Sequence, residues 1–255
     1  MRADDYADLY ALEGDLWWFA GMRAVTAALL DPVCPPGRDR LILDAGCGTG
    51  ANLEWLARYA GRGRVVGVDL VSTALDFCRE RRHGALVQAS VTDVPFAAST
   101  FDLVTSFDVL GQVPGDGDER AIGEIRRVLR PGGVAFVRVA AYEWMRSDHD
   151  LALGTHRRYS IGRLAAALER ADLRVVRATY ANGLLLPVAV VRRLVLKRLG
   201  LGAPGSDVKP LPPGLRPLNR VLRAALDAEA RLLRDPRGRI PAGLSAICVA
   251  RKPLT

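Results

Sequence analysis

Cysteine and histidine are scarce in this chain, at four and three of 255 residues. Cys34, Cys47, Cys78 and Cys248 form no C-x-x-C pair and have no histidine cluster beside them. Neither a disulfide framework nor a metal site is therefore expected, and the thiols read as the reduced cysteines of a cytoplasmic protein. The first residues, Met1 to Asp5, lack the apolar stretch of a signal peptide. No candidate bilayer span appears either: the apolar segment 184–199 is short and carries Arg192, Arg193, Lys197 and Arg198. The G-x-x-x-x-G-K-[ST] pattern is absent, which argues against a nucleoside triphosphate.

What is present is ordinary globular material, 49% hydrophobic and 25% charged, in a chain long enough to bury a full core. The charge is uneven. Residues 183–255 hold 14 Arg or Lys against 4 Asp or Glu, whereas residues 1–182 hold 22 against 24. The basic excess thus lies wholly in the C-terminal part, where it suits phosphates of lipid, nucleic acid or an anionic substrate.

One stretch organises the chain. Leu41-Ile42-Leu43-Asp44-Ala45 is an apolar run ending at a carboxylate, and Gly46, Gly48 and Gly50 follow at two-residue spacing before a helix that begins near Asn52. It reads as strand, tight loop and helix, with backbone amides and the helix N-terminus open to a ligand. A carboxylate two residues before the first glycine suits a ligand with a cationic end and repels a pyrophosphate. Arg64 to Asp69 is a second strand, whose terminal Asp69 is placed to accept hydrogen bonds from ribose hydroxyls.

These residues resemble a known family. The segments Leu43 to Gly50, Val68-Asp69, Asp93 to Phe96 with Ser99 to Val104, and Leu129-Arg130-Pro131-Gly132-Gly133 look like the successive motifs of class I S-adenosylmethionine (SAM)-dependent methyltransferases. The resemblance implies an α/β protein with a Rossmann-like, mostly parallel seven-stranded sheet. It also implies an N-terminal helical cap (1–38), a SAM-binding core (39–182), a helical insertion (183–243) and a last strand within 244–255. SAM is the implied cofactor and S-adenosylhomocysteine the product. Asp44, Gly46, Cys47, Gly48, Asn52, Asp69, Leu70 and Phe107 would surround it, with Ser90 and Val91 at the adenine. Ser90 departs from the acid common at that position. In the cap, Trp18 or Phe19 would line the cleft and Arg23 would reach the methionine carboxylate; plain packing and a solvated helix face are the alternatives.

The loop after the fifth strand concentrates polar chemistry, since His149, Asp150, His156, Arg157, Arg158 and Tyr159 fall close together after Tyr142. His149 or His156 has the intrinsic pKa of a general base, and Asp150 is placed to orient His149. Arg157, Arg158, Tyr159, Tyr142 and Asp108 are the expected substrate contacts. A structural clamp ahead of the helix capped by Ser160 is the competing reading of 156–159.

The function expected is SAM-dependent methyl transfer to a small-molecule or lipid-linked acceptor. A SAM-binding cyclase of the same fold and a nucleic-acid methyltransferase are the alternatives; the absence of interleaved aromatics among the C-terminal arginines disfavours nucleic acid. A cytoplasmic protein is expected, with a peripheral membrane contact through 184–199 and a homodimer both open. The insertion itself reads as a lid, a dimer contact or a membrane contact.

Overall fold

The computed structural model describes residues 3–147, 150, 154–191 and 216–254. Seven strands form one sheet: β1 (Leu41–Ala45), β2 (Arg64–Asp69), β3 (Leu86–Gln88), β4 (Phe101–Phe107), β5 (Leu129–Ala140), β6 (Arg174–Ala181) and β7 (Ser245–Arg251). Their order is β3-β2-β1-β4-β5-β7-β6, in a mostly parallel seven-stranded sheet of the kind the resemblance implied. Strands β1 to β5 pair in parallel, and β7 inserts antiparallel between β5 and β6. Parallel strands covered on both faces read as continuous apolar runs, which is why Ile42-Leu43 and Val134 to Val137 are buried without alternation. The order reverses between β1 and β4, so their carboxyl ends frame the crevice where ligands bind in such sheets.

The helices are α1 (Ala3–Leu12), α2 (Trp17–Leu30), α3 (Ala51–Ala60), α4 (Ser72–Glu80), α5 (Gly117–Val128), α6 (Ile161–Arg170), α7 (Leu186–Val190) and α8 (Arg216–Arg234). Ser160 caps α6 as its position predicts, its Oγ accepting from the Arg163 amide at 3.2 Å. Ser72 does not cap α4. That role is filled from β2, where Asp69 Oδ1 accepts from the Val71 amide at 3.0 Å.

The insertion helix α8 packs on α2 and thereby joins the N-terminal cap. Gly21 permits the close approach, since a Cβ there would lie 2.3 Å from Leu226 Cδ1. Asn219 of α8 also caps α2 from outside, accepting from the Trp17 amide at 2.9 Å and donating to the Asp15 carbonyl at 3.1 Å. Leu16, at the capping position of α2, supplies no side-chain bond. Asn219→Ala should therefore cost about 1 kcal/mol, seen as a lower urea midpoint at unchanged m-value.

Of the segment 184–199, only α7 and its flanks lie within the described residues, as does the start of the proposed insertion; 192–199 lies outside them. Among the described residues no helix is long and apolar enough to cross a membrane.

Candidate functional site

The loop between β1 and α3 takes its shape from its glycines. Gly46, Gly48 and Gly50 all have left-handed φ, at +84°, +54° and +86°, a conformation other residues adopt only under strain. The loop is sewn to β2: Gly46 and Cys47 amides donate to the Val68 carbonyl at 2.8 and 2.9 Å, and the Gly48 amide donates to Asp69 Oδ2 at 2.9 Å. Asp69 thus has both oxygens on backbone amides, Oδ2 on Gly48 and Oδ1 on Val71. The Cys47 side chain turns the other way, into a cluster with Leu53, Leu75 and Cys78. Toward the crevice Cys47 therefore offers its backbone. The hydrogen bond with the Cys78 thiol, and then burial, push the Cys47 thiol far above its ordinary range.

Asp44 is the electrostatic centre of the crevice. It is 1% exposed. Oδ1 accepts from the Thr105 hydroxyl at 2.7 Å, while Oδ2 is buried with no partner. Burial raises its pKa from 3.8 to about 7, against the Thr105 bond and the nearby Arg138 charge. An anionic oxygen left unpaired in a dry site is costly, which is why burial favours the protonated carboxyl here.

At the end of β4, Asp108 has φ +62° and accepts twice from the buried Arg138 guanidinium, at 2.8 and 2.7 Å. Arg138 lies 5.0 Å from the ring centroids of both Trp18 and Phe107. Trp18, Phe107 and Asp108 therefore do converge, held by an arginine that sequence reasoning passed over. Its signal was there, as the one charge inside the apolar run Val134 to Val139.

The cap closes on the glycine loop through Glu13, also unforeseen. Its buried carboxylate accepts from the Thr49 hydroxyl and from Arg81 at 3.1 Å. Arg81 also donates to the Thr49 carbonyl at 3.0 Å and lies 4.2 Å from the Tyr10 ring centroid. Burial raises the Glu13 pKa. Arg23 stands beside this cluster, donating to the Glu13 carbonyl at 3.5 Å, with its own pKa lowered by burial. His83 is half-buried, and a Cβ on Gly50 would meet its ring at 3.3 Å.

Beyond β2 and β3, Leu70 is 65% exposed and Val91 packs against the core. Ser90 bonds the Thr92 hydroxyl at 2.8 Å and the Thr92 amide at 3.2 Å. Asn52 is half-buried in the first turn of α3.

The polar loop divides. His149 lies outside the described residues. Asp150 does not serve as a free orienting acid: it forms a buried pair with Arg158 at 2.7 Å, the side chains being 2% and 3% exposed. Arg158 also donates to the Ala141 carbonyl at 3.0 Å, so it is a strap and not a substrate contact. Tyr159 is wholly buried, its hydroxyl donating to Asp118 Oδ2 at 2.5 Å, and burial followed by that bond raises its pKa. The same Asp118 holds Arg157. These corrections share one cause: a loop pinned to a sheet edge needs buried polar partners. His156 remains exposed, clipped through its amide to the Gly111 carbonyl at 2.8 Å.

Tyr142 begins this loop with φ +61° and stacks between Tyr180 (5.0 Å) and Trp144 (5.4 Å). Trp144 is 54% exposed, so the stack ends in an open aromatic face near the end of β5.

Residues 43–137 match the model of a methyltransferase-domain family. That match, the fold and the relatives below support a class I SAM-dependent methyltransferase domain over this segment. Over 120 residues it is 34% identical to a fatty-acid O-methyltransferase of Mycolicibacterium smegmatis, covering 44% of this chain and 43% of that one. Over 140 residues it is 33% identical to a malonyl-[acyl-carrier protein] O-methyltransferase of Pectobacterium atrosepticum, covering 51% and 53%. The chain thus spans about half the length of the curated relatives it matches. Among solved structures, a chain from the Haloferax volcanii complex of the Trm112 methyltransferase activator with a methyltransferase superposes at TM-score 0.62, with 20% identity and coverage of 98% and 96%. At that identity the likeness shows the fold alone.

Proposed function

We propose that this methyltransferase domain binds SAM at the ends of β1 and β4 and transfers its methyl group to an apolar small-molecule or lipid-linked acceptor. The observation that carries the reading is the buried, unpartnered Asp44 Oδ2, whose desolvation a cationic ligand would offset. Asp44 would face the cationic methionine end of SAM. Gly46 and Gly48 give close backbone approach, and Asp69 would accept from the ribose hydroxyls. Leu70, Ser90 and Val91 would bound the adenine, with Asn52 at the helix entrance. Trp18 and Phe107 would wall the methyl end, with Arg23 on the cap side toward the methionine carboxylate.

Bound SAM supplies a methyl group already activated on a sulfonium. The work left to the chain is to align the acceptor and exclude water. The stack of Tyr180, Tyr142 and Trp144 offers an apolar surface for that acceptor, and the two named relatives act on a fatty acid and a malonyl carrier protein. An acceptor carboxylate is ionised at neutral pH and asks no base of the chain. For an alcohol acceptor, exposed His156 is the candidate base.

Titration calorimetry tests the cofactor assignment: SAM and S-adenosylhomocysteine should bind one per chain, and NAD should not. Heat with NAD and none with SAM would return the fold to the dinucleotide enzymes. Trp144→Ala should raise the acceptor KM about tenfold through lost aromatic contact while leaving SAM affinity unchanged. An unaltered KM would remove the aromatic face from the acceptor site.

A further inference from the structure

Helix α8 binds the core with one side and leaves the other to solvent. Leu226, Ala230 and Leu233 are buried, and Glu229 accepts from the amides of Asn182 (2.7 Å) and Leu184 (2.9 Å). On the outer side, Leu218, Val221, Ala225, Ala228 and Leu232 recur at alternating steps of three and four residues, which gathers them into one ridge. Val221 is 65% exposed, Leu232 52% and Leu218 39%. Exposed Arg220, Arg231 and Arg234 border the ridge. The two acids of α8 are not available to neutralise them: Glu229 is buried, and Asp227 is held by Arg223 at 3.0 Å.

We propose that this outer face of α8 docks on an anionic lipid bilayer. The ridge of Leu218, Val221 and Leu232 enters the boundary between headgroups and acyl chains, and Arg220, Arg231 and Arg234 meet the lipid phosphates. The charge pattern chooses this occupant over a second copy of the chain. A twofold contact would set one arginine row against the other with no unpaired carboxylate on the face to separate them. Nucleic acid would match the arginines and leave the aliphatic ridge unused, with no aromatic residue on the face to stack on bases. A second exposed apolar element strengthens the case: Leu184 (60% exposed), Val188 (65%) and Val191 (51%) start at the turn that Glu229 ties to α8. The other side of the same helix caps α2 through Asn219, so the lipid surface would lie one helix away from Trp18. The face uses none of the residues assigned to SAM, so the proposal is tested independently of methyl transfer.

The experiment is sedimentation of the full chain with vesicles of equimolar phosphatidylglycerol and phosphatidylcholine, and separately with phosphatidylcholine alone. Each basic side chain near an anionic surface contributes roughly a factor of five, so three arginines predict about a hundredfold preference for the anionic vesicles, weakened by salt. Val221→Glu with Leu232→Glu should reduce binding at least about tenfold. Arg220→Gln with Arg231→Gln and Arg234→Gln should reduce it further, both sets keeping the wild-type melting temperature because the side chains are exposed. Equal binding to both vesicle types, or binding untouched by either set, would overturn the proposal. So would failure of the wild type to bind the anionic vesicles. A dimer in solution that the Glu pair splits would also overturn it, in favour of a second copy on this face.

Discussion

Asp44→Asn is expected to weaken SAM binding about a hundredfold, the scale of removing one partner from a buried charge pair, and to stabilise the ligand-free protein at neutral pH. Both effects come from the same buried oxygen. The folded-state pKa of Asp44 is raised by burial to about 7 from 3.8, so across that interval the folded chain holds a proton the unfolded chain has lost. Stability therefore falls as pH rises through the interval, by up to ~1.4 kcal/mol per pH unit, and stays at the lower level above it. The Asn variant lacks that slope. SAM binding runs the opposite way: a cationic ligand needs the carboxylate, so affinity should climb as pH rises toward 7. Thermal melts and calorimetry over about pH 5 to pH 7 separate the two slopes. A variant that binds SAM as the wild type does would remove Asp44 from the site.

Arg158→Met should cost about 3–5 kcal/mol, because it takes the guanidinium from a carboxylate that stays buried. The Asp150 and Arg158 side chains are 2% and 3% exposed, and the pair holds the strap that returns along the end of β5. At about 2–4 °C per kcal/mol in a chain of this size, the melting temperature should drop by roughly 6–20 °C. Adding Asp150→Asn should recover much of the loss, since a neutral amide needs no counter-ion. Were Arg158 a substrate contact instead, the single variant would melt normally and fail only in acceptor KM.

These two residues also mark where the sequence was legible. The β1–loop–α3 unit was readable because its determinants are local: an apolar strand, a carboxylate and three glycines whose positive φ a sequence can signal directly. The seven-stranded, mostly parallel sheet followed from the family resemblance, and the Ser160 cap from a contact three residues long. Arg157 and Tyr159 read as site residues because arginine and tyrosine in a polar loop look the same whether they hold a ligand or a strap. Both bond Asp118, some forty residues earlier in the chain, whereas Arg158 pairs with Asp150 only eight residues away. Glu13 on Thr49 and Arg138 on Asp108 were missed for the same reason, each pair being closed by the fold over 30 or more residues. The seat of α8 on α2 is the extreme case: Asn219 meets Trp17 across 202 residues, and an amphipathic helix alone does not say which face of the molecule it will cover.

The central claim is that a cation held at Asp44 delivers a methyl group to an apolar acceptor. Its most direct test is to incubate the purified chain with methyl-labelled SAM and host extract, then partition the label among organic, aqueous, nucleic-acid and protein fractions. The account predicts protein-dependent label in the organic phase, lost in Asp44→Asn and reduced in Trp144→Ala. SAM bound with normal affinity while no fraction gains label would contradict methyl transfer, and label in nucleic acid would contradict the acceptor class.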